Sequence, residues 1–200
     1  MQRSRKSHDR AGLPRRRLWT AAAVVAAVIV APVAWIGGRM LAGNVAVVAP
    51  GEVYRSAQPT PRLLARLQTE YGIRSVLNLR GENAGSDWYD AEVAASRDLG
   101  LTHIDFRMSA KQELTAAEAD ALLDVMEAAP KPLLVHCHSG ADRTGLASAL
   151  YVAAVKRWGE AAAEAHLSLL YGHVPAPFAK GWAMTTTFES MEPLLGYGDS

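Results

Sequence analysis

One cysteine occurs in the 200 residues, Cys137, within the run His136-Cys137-His138-Ser139-Gly140-Ala141-Asp142-Arg143-Thr144-Gly145. A lone thiol forms no internal disulfide and builds no Cys-rich zinc or iron–sulfur site. Its neighbours give it a different chemistry. The apolar run Leu133 to His136 ahead of it reads as a short buried strand, and a helix is expected from Thr144 onward. A strand, a tight loop and a helix start place a cysteine and an arginine six positions apart. Backbone N–H groups between them can converge on an anion, and the helix N-terminus adds positive potential at the same spot. Gly140 permits the sharp backbone path. Arg143 offers a planar fork for two oxygens of a phosphate. Donors aimed at the sulfur favour thiolate over thiol, so the loop presents a nucleophile to a phosphorus that it also holds.

This Cys-x5-Arg-Thr pattern, preceded by His and followed by Gly, resembles the signature loop of the cysteine-dependent protein tyrosine phosphatases, above all the dual-specificity branch. Val53-Tyr54-Arg55-Ser56-Ala57-Gln58-Pro59 and Val76-Leu77-Asn78-Leu79-Arg80-Gly81-Glu82 are similar to recurring segments of small atypical dual-specificity phosphatases. The resemblance spans about residues 50 to 175. It implies a phosphocysteine intermediate on Cys137, hydrolysed in turn by water, with Arg143 as phosphate clamp. His138, Ser139, Gly140, Ala141 and Asp142 would complete the phosphate cradle. Thr144 would stabilise the thiolate through its hydroxyl, and His136 would orient the loop from beneath. No metal and no organic cofactor are implied. The substrate would be a phosphorylated protein, through phosphotyrosine or dual specificity, or a small phosphomonoester.

A leaving alkoxide or phenolate needs a proton, so a carboxylic acid is expected on a neighbouring loop. Asp105 ranks first: it ends a strand 32 residues before Cys137, a separation similar to that of the family's aspartic acid. Glu113 and Asp142 compete with it, and Asp142 otherwise reads as a cap on the following helix. His136 and His138 flanking a thiol suggest a metal, but alternate strand residues face opposite ways and no further cysteine exists. A rhodanese-like sulfur carrier fits the Arg-Thr-Gly ending poorly. A phosphoinositide or inositol phosphate phosphatase remains an alternative, with Arg107 and Lys111 available for extra phosphates. A pseudophosphatase that only binds phosphate is another, disfavoured because Cys137 and Arg143 are both present. His166 and His173 read as structural, and Arg80 as a partner for carboxylates near the site.

The elements that must position these groups alternate. Strands are expected at Val53–Arg55, Ile73–Leu79, Leu101–Phe106 and Leu133–His136. Thr60 and Pro61 open a helix that Gly72 stops. Trp88–Leu99 forms another, closed by Gly100. Thr115 and Glu118 make a capping box for a helix running toward Ala128. Thr144–Trp158 and Glu160–Tyr171 are further helices, with one more after Phe178. The pattern predicts an α/β domain with a mainly parallel sheet flanked by helices. Ligands of such sheets sit beyond the carboxyl ends of the strands, where the Cys137 loop lies.

Half of the chain is hydrophobic and a fifth is charged, which excludes a disordered or collagen-like protein. The net charge of +1 hides an asymmetry. Residues 1–17 carry seven basic side chains against Asp9, whereas residues 45–200 hold 13 Lys and Arg against 19 Asp and Glu. An acidic domain repels phosphate backbones, so no nucleic-acid partner is expected. Leu18 to Ile36 is uncharged, with Trp19 and Trp35 at its ends. At helical rise these 19 residues span about 28 Å, near the hydrocarbon thickness of a bilayer. Residues 18–38 are therefore expected to form one N-terminal transmembrane helix, with a cleaved signal peptide as the competing reading. Residues 1–17 would be a cytoplasmic tail, 39–51 a linker, and 52–200 the phosphatase-like domain on the far side. The ratio of 16 Arg to 5 Lys hints at a bacterial source, and so at an inner-membrane protein facing the periplasm.

Overall fold

The computed structural model describes residues 30, 31 and 33–198. Of these, residues 30, 31 and 33–35 belong to one unit and residues 36–198 to another. In the first, residues 30, 31 and 33–35 are helical. Most of the expected membrane segment lies outside the described residues. Among the described residues no helix is long and apolar enough to cross a membrane.

The second unit carries a five-stranded sheet in the order β1 (Ala46–Ala49), β2 (Val53–Ser56), β5 (Leu133–His136), β3 (Ser75–Asn78) and β4 (Thr102–Asp105). The last four strands are parallel, and β1 runs antiparallel on the edge. Central β5 is buried along its whole length, which explains its unbroken LLVH run. The linker expectation for residues 39–51 is corrected here. Ala46–Ala49 pair with β2, and Val48 and Ala49 enter the core.

Local sequence sets most helix ends. In α1 (Pro61–Tyr71) the Thr60 hydroxyl accepts from Leu63 N, and Gly72 closes the helix at φ 68°. α2 (Asp87–Asp98) follows β3, and α3 (Ala116–Ala128) opens on the Thr115–Glu118 capping box. α4 (Asp142–Leu150) continues into a wider π-helical turn at Tyr151–Lys156. The helix expected over Glu160–Tyr171 is corrected: α5 covers only Glu160–Glu164, and a 3-10 turn holds Leu169–Tyr171. The chain leaves the helix to bring His166 and Tyr171 against Arg55. α6 (Trp182–Leu195) ends the fold.

The register aligns Ser56, His136, Asn78 and Asp105 in one row at the carboxyl ends of β2, β5, β3 and β4. A larger core cluster between the sheet and α3, α4 and α6 includes Cys137, Leu146, Met184 and Phe188. A smaller one under α1 includes Leu64, Leu67, Val76 and Leu134.

Candidate active site

Cys137 follows the last residue of the central strand and is 2% exposed. Between it and α4 the loop ties its carbonyls outward. His138 O accepts from Gln58 N at 3.1 Å. Ser139 O accepts from Asn44 Nδ2 at 3.1 Å, and Gly140 O from Arg55 Nη2 at 2.7 Å. Ala141 O takes Gly145 N at 2.9 Å. In a planar trans peptide the carbonyl and the next N–H point opposite ways. Outward carbonyls at 138–140 therefore turn the N–H groups of 139–141 inward, as an anion nest requires, with Ala141 N donating to Ser139 Oγ at 3.4 Å. Gly140 has φ 69°, and a Cβ there would come within 2.6 Å of Ser56 O. Only glycine fits that turn.

Arg143 Nη1 donates to the Leu79 and Met108 carbonyls, each at 3.3 Å. These bonds fix the fork while its Nε stays buried without a partner. The Thr144 hydroxyl is buried and unpartnered too. Buried polar atoms left unpaired are costly, and two of them at one loop mark a place where another group belongs. His136 is fully buried, with Nε2 3.0 Å from Glu92 Oε1. The same oxygen takes His103 Nε2 at 2.8 Å, and Gln58 Nε2 donates to Glu92 Oε2. Burial alone would raise the Glu92 carboxyl, but the bonds from His103 and His136 outweigh it and hold it at about 2. Gln58 Oε1 in turn accepts from Arg80 Nη1 at 2.7 Å, and the Arg80 guanidinium lies 3.3 Å over the Trp88 ring. Arg80 thus pairs with an amide and an indole, and forms no carboxylate ion pair among the described residues.

A cavity of about 710 Å³ meets the signature run at Arg143, while Cys137 and residues 138–142 do not line it; its walls are Arg80, Arg107, Lys111, Glu113, Glu118 and Arg143 together with Phe106, Met108 and Leu114. Asp105 does not line it. It lies on β4, two strands from β5 and so about 10 Å away across the sheet. Its Oδ1 accepts from Asn78 Nδ2 at 2.8 Å and its Oδ2 from Tyr89 OH at 2.5 Å. Asp142 turns elsewhere: its carboxylate accepts from His173 Nδ1 at 2.8 Å and packs against Gly181. Of the two glutamates on the cavity, Glu118 is committed to the Thr115 cap, whose backbone and side-chain bonds lower its carboxyl. Glu113 is exposed and has no such bond among the described residues.

Sequence reasoning gave no role to Asn44, Glu92 or Arg55. A charged residue at a central position of the short strand Val53–Arg55–Ser56 was a signal for Arg55. Nothing local marked Asn44 or Glu92.

Several solved structures share this fold. P. aeruginosa TpbA is 23% identical with a TM-score of 0.61, over 74% of this chain and 85% of that one. A second TpbA structure, in complex with pTyr, is 21% identical with a TM-score of 0.60, over 78% and 93%. The catalytic core of the S. cerevisiae PP-IP phosphatase SIW14, in complex with citrate, is 19% identical with a TM-score of 0.59, over 76% and 88%. At these identities the likeness is one of fold. No curated protein matches the chain. A model of the tyrosine phosphatase family matches residues 36–164, more than half of the chain and inclusive of the whole loop. This match places the chain in the tyrosine phosphatase family, as a cysteine-dependent phosphomonoester hydrolase.

Proposed function

We propose that the substrate is a phosphoprotein, with phosphotyrosine preferred and dual specificity open, as in the atypical dual-specificity branch. The observation that carries the mechanism is the pair of unpartnered buried donors, Arg143 Nε and Thr144 Oγ1, on a loop whose N–H groups face inward. The Cys137 sulfur attacks phosphorus, an S–P bond forms, and the ester P–O bond breaks. Glu113, from the cavity, gives its proton to the departing oxygen. Water then attacks phosphorus, Glu113 takes a proton back, and the thiolate leaves with phosphate released. Phe106, Met108 and Leu114 in the wall suit an aryl group. Glu113 replaces Asp105 as the favoured acid because it lines the cavity and is free of committed bonds.

A second reading is favoured by the four cations Arg80, Arg107, Lys111 and Arg143 on that cavity. They would suit an inositol phosphate, the kind of substrate that the name of SIW14 describes for that enzyme. Phosphate release by the purified full chain, measured across phosphotyrosine and phosphoserine peptides, phosphoinositides and inositol phosphates, separates the two readings. Turnover of none of them would leave a phosphate-binding pseudoenzyme.

The charge pattern of residues 1–36 supports an inner-membrane anchor with the domain in the periplasm. A reporter fused after Ser200 tests this. Activity only when folded outside the cytoplasm is expected, and a cytoplasmic signal overturns it.

A further inference from the structure

We infer that Arg55 is the buried counter-cation of the Cys137 thiolate, a positioning residue that balances the nucleophile's charge from beneath the loop. The inference rests on the reading of Cys137 as the nucleophile.

Arg55 is 0% exposed, the largest fully buried side chain described. A buried cation needs an anion or a full set of acceptors. Among the described residues Arg55 forms no ion pair with a carboxylate. Nη1 donates to His166 O at 3.0 Å and to His166 Nδ1 at 3.1 Å. Nη2 donates to Gly140 O at 2.7 Å and reaches Ala141 O at 3.5 Å. The guanidinium lies 3.9 Å from the centre of the Tyr171 ring, and Nε has no partner. Every acceptor is neutral. His166 cannot supply charge, since it accepts through Nδ1, and burial followed by Arg55 pushes it down to about 4. Arg55 itself is pulled down by burial to about 10, while Tyr171 and Cys137 act in the opposite sense and Arg39 adds to the burial effect. The backbone points to Cys137: Arg55 is level with Val135 on β5, Cys137 follows two residues on and packs in the same core cluster as Val135, and the guanidinium holds Gly140 O of the loop that carries the thiol.

The placement follows from topology. β2 lies beside β5, with Arg55 level with Val135, so the guanidinium reaches the loop from the carbonyl side. The groups around the thiol from other elements are Arg143 on α4, Arg80 after β3, and His136 on its own strand, which Glu92 holds. Asp142 is engaged by His173 on the far side of the loop. Arg143 and Arg80 line the cavity, where an incoming phosphate would meet them. Arg55 is sealed from it, so its charge is present throughout the cycle, with or without substrate.

The test is the pH dependence of iodoacetamide alkylation of the full chain, compared for wild type, Arg55→Met and Arg55→Lys. No phosphate ester is used, so the outcome stands apart from any failure to find a substrate. Arg55→Met is expected to move the alkylation midpoint up by about one pH unit, the scale of one nearby opposite charge, and Arg55→Lys, which keeps the charge without the fork, to leave it near wild type. A wild-type midpoint in Arg55→Met overturns the inference. So does a Lys variant displaced as far as the Met variant, which would make Arg55 a loop fastener only. Should Arg55→Met not fold, Arg55→Gln, which keeps an N–H donor toward Gly140 O without the charge, takes its place: an upward displacement of its alkylation midpoint is expected, and a wild-type midpoint overturns the inference equally.

Discussion

Glu92 Oε1 lies 3.0 Å from Nε2 of His136, the residue directly before Cys137. One buried carboxylate on α2 thus fixes an imidazole on β5, and through Gln58 it also fixes Arg80 on the cavity wall. Removing it should disturb both. Glu92→Gln should lower kcat by about 10- to 100-fold, the scale of a small misplacement of reacting groups. The pH dependence adds a readout. The Glu92 carboxyl is held at about 2, below its ordinary 4.5. Its stabilising contribution is therefore present above pH 4.5 and lost as pH falls toward 2. Urea unfolding of wild type should show that loss, and Glu92→Gln should lack it.

Cys137→Ser should reduce turnover by at least about 10³-fold while vanadate still binds, because the loop's donors remain and only the nucleophile changes. Vanadate should inhibit the wild type. EDTA should leave its rate unchanged, and loss of activity on chelation would contradict the mechanism.

Glu113→Gln should slow hydrolysis of tyrosyl phosphate by about 10²–10⁴-fold, with an activated aryl phosphate affected less, and should erase the basic limb of the pH–rate profile. Asp105→Asn should keep that limb, since both Asp105 oxygens are engaged by Asn78 and Tyr89. The reverse result would restore Asp105 as the acid.

The strand–loop–helix around Cys137 was legible because it is contiguous: the three succeed one another within residues 133–150. The Thr60 cap, Gly72 and the Thr115–Glu118 box were legible for the same reason. What escaped depends on distance along the chain. Arg55 meets Gly140 across 85 residues, and Asn44 meets Ser139 across 95. No local pattern encodes those bonds. Strand β1 escaped because its short Ala-Val-Val-Ala run follows a glycine-rich stretch and takes its structure only from pairing with β2. Asp105 was ranked first by strand-end placement, which holds, but the order of the strands sets it at the edge.

Gly140→Ala should cost about 1–3 kcal/mol, since it adds a Cβ at positive φ against the Ser56 carbonyl. Vanadate affinity should fall with it. Retention of both would mean that the loop has another way round β2.

His166 is pushed down from 6.5 to about 4, by burial first and Arg55 second. The unfolded chain then binds this proton more readily than the folded one. Stability from His166 is full above pH 6.5 and declines as pH falls toward 4. His166→Gln should flatten that interval in urea titrations, and an unchanged slope would contradict the assignment.

Asn44 is wholly buried, and its amide holds both Ser139 O and Tyr171 O. Ala57 N is bonded to Gly43 O just beside it. The chain ahead of β2 is thus a fastening of the reactive loop and cannot be trimmed freely. A fragment cut at Gly51, where the recognisable segments begin, would leave the carbonyls of Ser139 and Tyr171 without their donor and the β2 edge bare. A proteolytic nick in the turn between β1 and β2 would loosen the same fastening without touching the signature loop. A fragment that keeps the fastening therefore begins no later than Gly43.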